Sequence, residues 1–177
     1  YPHQERLKGL SGASVEVYDP AFGTGGMLIW MARALRGLSG GLTVSLAGHE
    51  KSTTTSALGQ ANVLVSGVLN ADDPDAALLT NNSLGKSGRG IGKVSYVVCN
   101  PPYGESWKKT KGKQGPDPAI EDERFALGTP SANDGQMMFL LQGLHHLEVV
   151  EEGVTRGGRA VFVSNGSPLF TLSLIHI

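Results

Sequence analysis

The stretch "CNPPYGESW", residues 99–107, comes directly after the apolar run "KVSYVV". A proline lacks a backbone N–H and has a fixed φ, so it cannot continue a sheet ladder. A strand arriving here must stop at Cys99 or Asn100. Asn100, Pro101, Pro102 and Tyr103 then make a stiff, donor-poor corner. The Asn100 side-chain oxygen and the Pro101 carbonyl are two uncharged acceptors on a rigid scaffold, and two such acceptors suit an –NH₂ group. Tyr103 adds a flat ring on which a planar group could stack. A proline that merely terminated a strand would not need the Asn, the second proline and the Tyr beside it.

A second candidate site is "DPAFGTGGML", residues 19–28. Gly23, Gly25 and Gly26 let the backbone turn tightly and approach a ligand closely, and the helix after them supplies unpaired N–H groups. The pattern is not the dinucleotide fingerprint G-x-G-x-x-G, because position 28 is Leu. Alone, it is also what a ligand-free strand-to-helix connection looks like. Glu50 strengthens the functional reading. It ends a predicted strand about 25 residues after the glycines, where doubly wound folds place the carboxylate that accepts from ribose hydroxyls. Together these residues point to a nucleoside-bearing cofactor, either a dinucleotide or S-adenosylmethionine.

The two sites fit one reaction. The exocyclic amine of adenine is a poor nucleophile, because its lone pair is delocalised into the ring. Accepting two hydrogen bonds from it favours the pyramidal nitrogen that develops in the transition state. Direct displacement at a sulfonium methyl then needs no covalent enzyme intermediate, and Cys99 reads as a buried strand residue without a chemical role. A base inside a duplex is out of reach and has to be flipped out, with Tyr103 to hold it.

Alternating elements must position these residues. "ASVEVYDP" (13–20) reads as a strand stopped by Asp-Pro, and the helix after it carries Met27, Leu28, Met31, Leu35 and Leu38 at helical spacing. "LTVSLAGHE" is a second strand, and "STTTSALGQANVLVSG" a helix with a Ser/Thr-rich start. Residues 70–92 are turn-rich, with a short strand near Ala77–Leu79. "GKVSYVVCN" and "GRAVFVSNG" have the continuous apolar character of strands buried on both faces. Residues 104–133 form a long polar loop, and "DGQMMFLLQGLHHLEVVEEG" (134–153) predicts a helix with Phe139, Leu140, Leu144 and Leu147 on its apolar face. The expected fold class is α/β, a doubly wound, mostly parallel sheet with ligands beyond the carboxyl ends of the strands. In that topology the first and fourth strands are neighbours, which brings Asn100–Tyr103 beside the glycine turn.

Bulk properties narrow the options. At 177 residues, 40% hydrophobic and 18% charged, the chain has the length of one domain with a real core. A formal charge of −1 gives no global case for a polyanion partner, so any such site is local. One cysteine excludes an internal disulfide framework and fits a reducing compartment. No apolar run approaches membrane-spanning length. The absence of an initiator Met and the apolar ending "LSLIHI" read as a piece of something larger, with 172–177 expected to be a non-native tail.

The ordered set "DPAFGTGGML", "GHEKSTTTSALGQANV", "NPPYGESW", "DGQMMFLL" and "VSNGSPLF" resembles the modification (M) subunit of type I restriction–modification systems, a DNA adenine-N6 methyltransferase family. The likeness runs from about Val15 to Thr171. It implies the S-adenosylmethionine-dependent methyltransferase fold of class I, truncated at both ends, with a cofactor half over 13–92 and a target-base half over 93–171. It also implies that Asp19, Ala21, Gly23, Thr24, Gly25 and Gly26 line the cofactor pocket and that Glu50 holds the ribose. Family members often have an Asp before the fourth strand for the cofactor's adenine amine; the nearest equivalent here is Asn82. Asn100, Pro101, Pro102 and Tyr103 would engage the flipped adenine. The implied partners are double-stranded DNA, a specificity (S) subunit and a restriction (R) subunit, in the cytoplasm of a bacterium or archaeon; separately, no Cys/His spacing in the sequence suggests a metal site.

Other readings keep a place. An Asn-Pro-Pro-Tyr enzyme could methylate a glutamine side-chain amide on a protein, and a non-catalytic assembly subunit could keep the same fold. A nicotinamide dehydrogenase would lack the full glycine fingerprint and leave the proline corner unexplained. Lys108, Lys109, Lys111 and Lys113 could contact phosphates or simply be solvated. His145 and His146 are adjacent on a helix and so expected to point apart, and Arg156 and Arg159 read as surface charges.

Overall fold

A computed structural model describes residues 12–69, 76–85, 88, 90–107, 122–131, 134–150 and 157–166. The lysine cluster, Arg156, most of "NGSPLF" and the 172–177 tail lie outside these residues. The described chain runs β1 (Ser14–Asp19), α1 (Gly26–Leu38), β2 (Thr43–Glu50), α2 (Thr53–Val65), β3 (Ala77–Thr80), β4 (Tyr96–Cys99), a single 3-10 turn (Glu123–Phe125), α3 (Gly135–His146) and β5 (Arg159–Phe162). The strands form one sheet in the order β3-β2-β1-β4-β5, every pairing parallel. This is the doubly wound arrangement expected from the alternation of elements, and it sets β1 against β4 through Val17↔Tyr96 and Tyr18↔Val97.

Both faces of the sheet are covered around β4, which fits its continuous apolar run, every residue of Tyr96–Cys99 being buried. On one face Leu28, Ala32 and Leu35 of α1 and Val63 of α2 pack with Val17, Val44, Leu46, Tyr96 and Val98. On the other, Tyr18, Ala47, Val94 and Val97 pack with Leu147, Ala160 and Phe162. α3 comes close to this second face at Gly143, where a Cβ would sit 2.8 Å from Val97 Cγ1 and 2.7 Å from the Phe162 ring. A third cluster of Leu84, Trp107, Phe125, Met138 and Leu141 joins the β3–β4 loop, the proline corner, the 3-10 turn and α3.

Four expectations are corrected. α3 ends at His146 rather than near residue 153 because Leu147 turns extended (φ −65°, ψ 141°) and pairs with Val94. Its buried face carries Met138, Leu141, Gln142 and His146, whereas Leu144 is exposed and Phe139 and Leu140 are only partly covered. β5 is the edge of the described sheet and is half-covered at best, with Val161 57% exposed, so it is not a strand buried on both faces. His145 and His146 stay in contact, their rings edge to face at 5.1 Å between centroids. Among the described residues no helix is long and apolar enough to cross a membrane.

Candidate active site

The carboxyl ends of β1, β2 and β4 carry the predicted site residues other than Asn82, which lies just beyond β3. β1 stops at Asp19 because Pro20 comes next, and the chain turns through Ala21–Gly25 into α1. Gly23 (φ 55°) and Gly25 (φ 81°) both take left-handed backbone, which costs an L side chain and costs glycine nothing. Gly25 caps α1 with no side-chain hydrogen bond, so the first-turn N–H groups of this helix have no capping side chain. Thr24 and Gly26 are exposed and Ala21 and Gly23 partly so, while Gly25 is buried.

Glu50 closes the turn from the neighbouring strand. Its Oε2 accepts from the Gly23 N–H at 3.2 Å and its Oε1 from the Ser52 N–H at 2.7 Å. Each carboxylate oxygen still has a second lone pair for a hydroxyl donor. The Ser52 side chain in turn caps α2 through the Thr55 N–H, as its Ser/Thr-rich start predicted. Asn62 of α2 reaches back to donate to the Thr24 carbonyl at 3.0 Å.

Three residues that build this turn escaped the sequence reading: Phe22, Gly48 and Gly59. Phe22 is buried, and a Cβ on Gly48 would sit 2.8 Å from its ring, one on Gly59 2.7 Å from it. The Gly59 Cβ would also lie 2.5 Å from the Gly23 carbonyl oxygen. The signal was available. A glycine inside a strand or a helix weakens it, and commonly marks close approach of another backbone.

Asp19 lies beneath the turn, 2% exposed, with Oδ1 accepting from the Ala21 N–H at 2.9 Å. Burial pushes its carboxyl up to about 7, against the lowering effect of the Ala21 N–H and of the Cys99 thiol that hydrogen-bonds it. Cys99 is fully buried, as expected, and burial followed by the nearby Asp19 charge raises its thiol strongly. Because folding raises the Asp19 pKa, the stability this group contributes is full below the ordinary carboxylate range and is lost as pH rises toward about 7. Asp19→Asn removes the buried charge while keeping an acceptor for Ala21. It should raise Tm by roughly 2–4 °C at pH 8 and by almost nothing at pH 4, read from melting curves across that range. A gain independent of pH would be the contrary result.

The corner at the end of β4 lies beside this turn, because β4 pairs with β1. Pro101 is buried, Pro102 half-buried, and Asn100 and Tyr103 are exposed. The Tyr103 hydroxyl is 2.6 Å from Asn100 Oδ1 and 3.1 Å from the Val163 carbonyl oxygen, so it spans the ends of β4 and β5. One lone pair of Asn100 Oδ1 is thereby engaged and the other is left for a further donor. Across the crevice, Lys51 next to Glu50 pairs with Glu105 at 3.3 Å, linking the cofactor side to the corner. The Gly135 N–H donates to the Glu105 carbonyl and Trp107 Nε1 to the Ser131 carbonyl at 2.8 Å, which seats the segment after Tyr103. Asn82 is half-buried at the start of the β3–β4 loop, its Oδ1 accepting from the Leu84 N–H at 3.1 Å.

The arrangement therefore joins a glycine cradle at a helix N-terminus and a strand-end carboxylate to a neutral acceptor corner with an aromatic ring. S-adenosylmethionine fits the first two: a carboxylate for uncapped helix N–H groups, and a ribose diol for Glu50. Among the described residues no cluster of His, Cys, Asp or Glu could hold a metal ion.

The chain is 26% identical over 166 residues to the methylase subunit of a type I restriction enzyme, HindI, of Haemophilus influenzae, covering 92% of this chain and 33% of that protein. It thus spans about a third of that relative's length. Its fold matches that of a type I restriction–modification methyltransferase subunit from Streptococcus thermophilus (TM-score 0.59, 24% identity, 80% of this chain and 28% of that one). It also matches a class I S-adenosylmethionine-dependent methyltransferase from Listeria monocytogenes (TM-score 0.66, 17% identity, 97% and 45%). The N-6 DNA methylase family profile matches residues 8–172, and the chain belongs to that family.

Proposed function

We propose that this chain is the catalytic part of an adenine-specific DNA methyltransferase, the modification subunit of a type I restriction–modification system. It transfers the methyl group of S-adenosylmethionine to N6 of adenine in double-stranded DNA, in the cytoplasm of a bacterium or archaeon. The observation that carries this reading is the juxtaposition of the Gly23–Gly26 turn and Glu50 with the Asn100–Tyr103 corner, on adjacent strands and tied by Lys51–Glu105.

When bound, S-adenosylmethionine supplies a sulfonium methyl carbon as the electrophile. Asp19, Ala21, Gly23, Thr24, Gly25 and Gly26 shape the cofactor side, Glu50 accepts from its ribose, and Asn82 faces its adenine. Asn100 Oδ1 and the Pro101 carbonyl accept from the flipped target amine and stabilise the pyramidal nitrogen of the transition state. Pro102 stiffens the corner, and Tyr103 offers its ring to the extruded base. The relative named above is one subunit of a multi-chain enzyme. By that likeness a specificity subunit selects the DNA site and a restriction subunit joins the same assembly.

The test is transfer of labelled methyl from S-adenosylmethionine to unmodified duplex DNA, by the protein as its gene encodes it together with its specificity subunit. Label recovered as N6-methyladenine supports the reading. Label confined to protein would replace it with amide methylation, and no transfer despite cofactor binding with an assembly role.

A further inference from the structure

In the β3–β4 loop the carbonyl groups of Ser83, Gly85 and Gly88 end on buried side chains from the other half of the chain. Arg124, 3% exposed, donates from Nη1 to the Ser83 carbonyl and from Nη2 to the Gly85 carbonyl, each at 2.8 Å, straddling Leu84. The same guanidinium donates to Asp122 from Nε (3.0 Å) and Nη2 (2.6 Å), and from Nη1 to Gln142 Oε1 (2.7 Å). Every N–H of the fork thus has its own acceptor. Gln142 continues the clamp by donating to the Gly88 carbonyl at 3.0 Å. A Cβ on Gly88 would collide with the Ser83 carbonyl and the Arg124 guanidinium.

We propose that Arg124 is a positioning residue for the cofactor. By fixing the Ser83 and Gly85 carbonyls it holds the turn that begins at Asn82, and so sets the angle at which Asn82 meets the cofactor's adenine. The proposal rests on the cofactor reading given above. The geometry demands a planar fork, because two carbonyls, an amide oxygen and a carboxylate surround one side chain. A lysine keeps the charge opposite Asp122 but gathers its donors on a single nitrogen, which cannot reach all four groups.

The experiment compares Arg124→Lys with wild type in the protein as its gene encodes it, by calorimetric titration with S-adenosylmethionine and by steady-state kinetics. Kd and KM for the cofactor should rise by about tenfold or more, with kcat at saturating cofactor within about twofold. Gly88→Ala, which keeps every charge of the clamp but drives a Cβ against the Ser83 carbonyl and the Arg124 guanidinium, should reproduce the rise and decides the matter if Arg124→Lys does not fold. Leu35→Ala, a core truncation in α1, serves as a matched loss of Tm and should leave Kd unchanged. Cofactor binding by both clamp variants within about twofold of wild type, at a Tm loss like that of Leu35→Ala, would reduce Arg124 to a structural role and overturn the proposal. A wild-type protein that binds no S-adenosylmethionine would instead remove the cofactor reading, and this proposal with it.

Discussion

Asn100→Ala should lower the single-turnover rate of adenine methylation by roughly 100-fold or more, while the affinity for S-adenosylmethionine stays within about twofold. The reason is where the side chain acts. Asn100 lies just past the carboxyl end of β4, and its side chain is hydrogen-bonded to Tyr103 rather than to the Gly23–Glu50 turn. Its oxygen is held in place by the Tyr103 hydroxyl at 2.6 Å, so it requires no reorganisation when the amine arrives. Removing a preorganised partner of this kind typically costs two to three orders of magnitude in rate. The Pro101 carbonyl remains, so some activity should survive. Asn100→Asp keeps an acceptor at the same place and should retain more activity than the alanine variant. Equal rates for wild type and Asn100→Ala would mean that the amine is activated elsewhere.

The second large effect concerns a residue with no chemistry of its own. Helix propensity alone says that Gly59→Ala, in the middle of α2, should stabilise the protein by about 0.5–1 kcal/mol. The structure gives the opposite sign. The added Cβ would lie 2.5 Å from the Gly23 carbonyl oxygen and 2.7 Å from the Phe22 ring. A backbone oxygen cannot rotate aside, so either α2 or the glycine turn has to shift. Overpacking of this kind costs about 1–3 kcal/mol, which here corresponds to a Tm loss of several degrees. Because the turn that moves is the cofactor cradle, affinity for S-adenosylmethionine should fall by about tenfold or more at the same time. Gly37→Ala, in α1 with open space around its Cβ, is the contrast and should raise Tm. Two glycine variants in two helices with opposite signs would separate close approach from propensity.

Much of this site was legible because prolines and glycines state their constraints locally. Pro20 and Pro101 end β1 and β4 where the sequence placed the breaks. Gly23 and Gly25 adopt the left-handed backbone their turn required, and Glu50 reaches the turn from the next strand. The adjacency of β1 and β4 followed from topology rather than from any one residue. The clamp around Arg124 was not legible. Its loop acceptors, the Ser83 and Gly85 carbonyls, lie 41 and 39 positions away in the chain, and a lone arginine in a polar stretch reads as a solvated charge. The α3 face was misjudged for a related reason. Periodicity counts apolar residues, whereas here Gln142 and His146 occupy core positions, satisfied by Tyr18, Gly88 and Gly92. The apolar run of β5 suggested cover on both sides, but a strand's neighbours are not written in its own residues.

Cys99, fully buried against Asp19 at the centre of the sheet, has one more use. It is the chain's single sulfhydryl, and in the native packing it is both sealed off and held as the unreactive protonated form. An alkylating reagent can therefore reach it only when β4 parts from its neighbours, so the pace of alkylation becomes a clock for that opening. Run with and without S-adenosylmethionine, the clock would report directly how far cofactor binding locks the centre of the sheet.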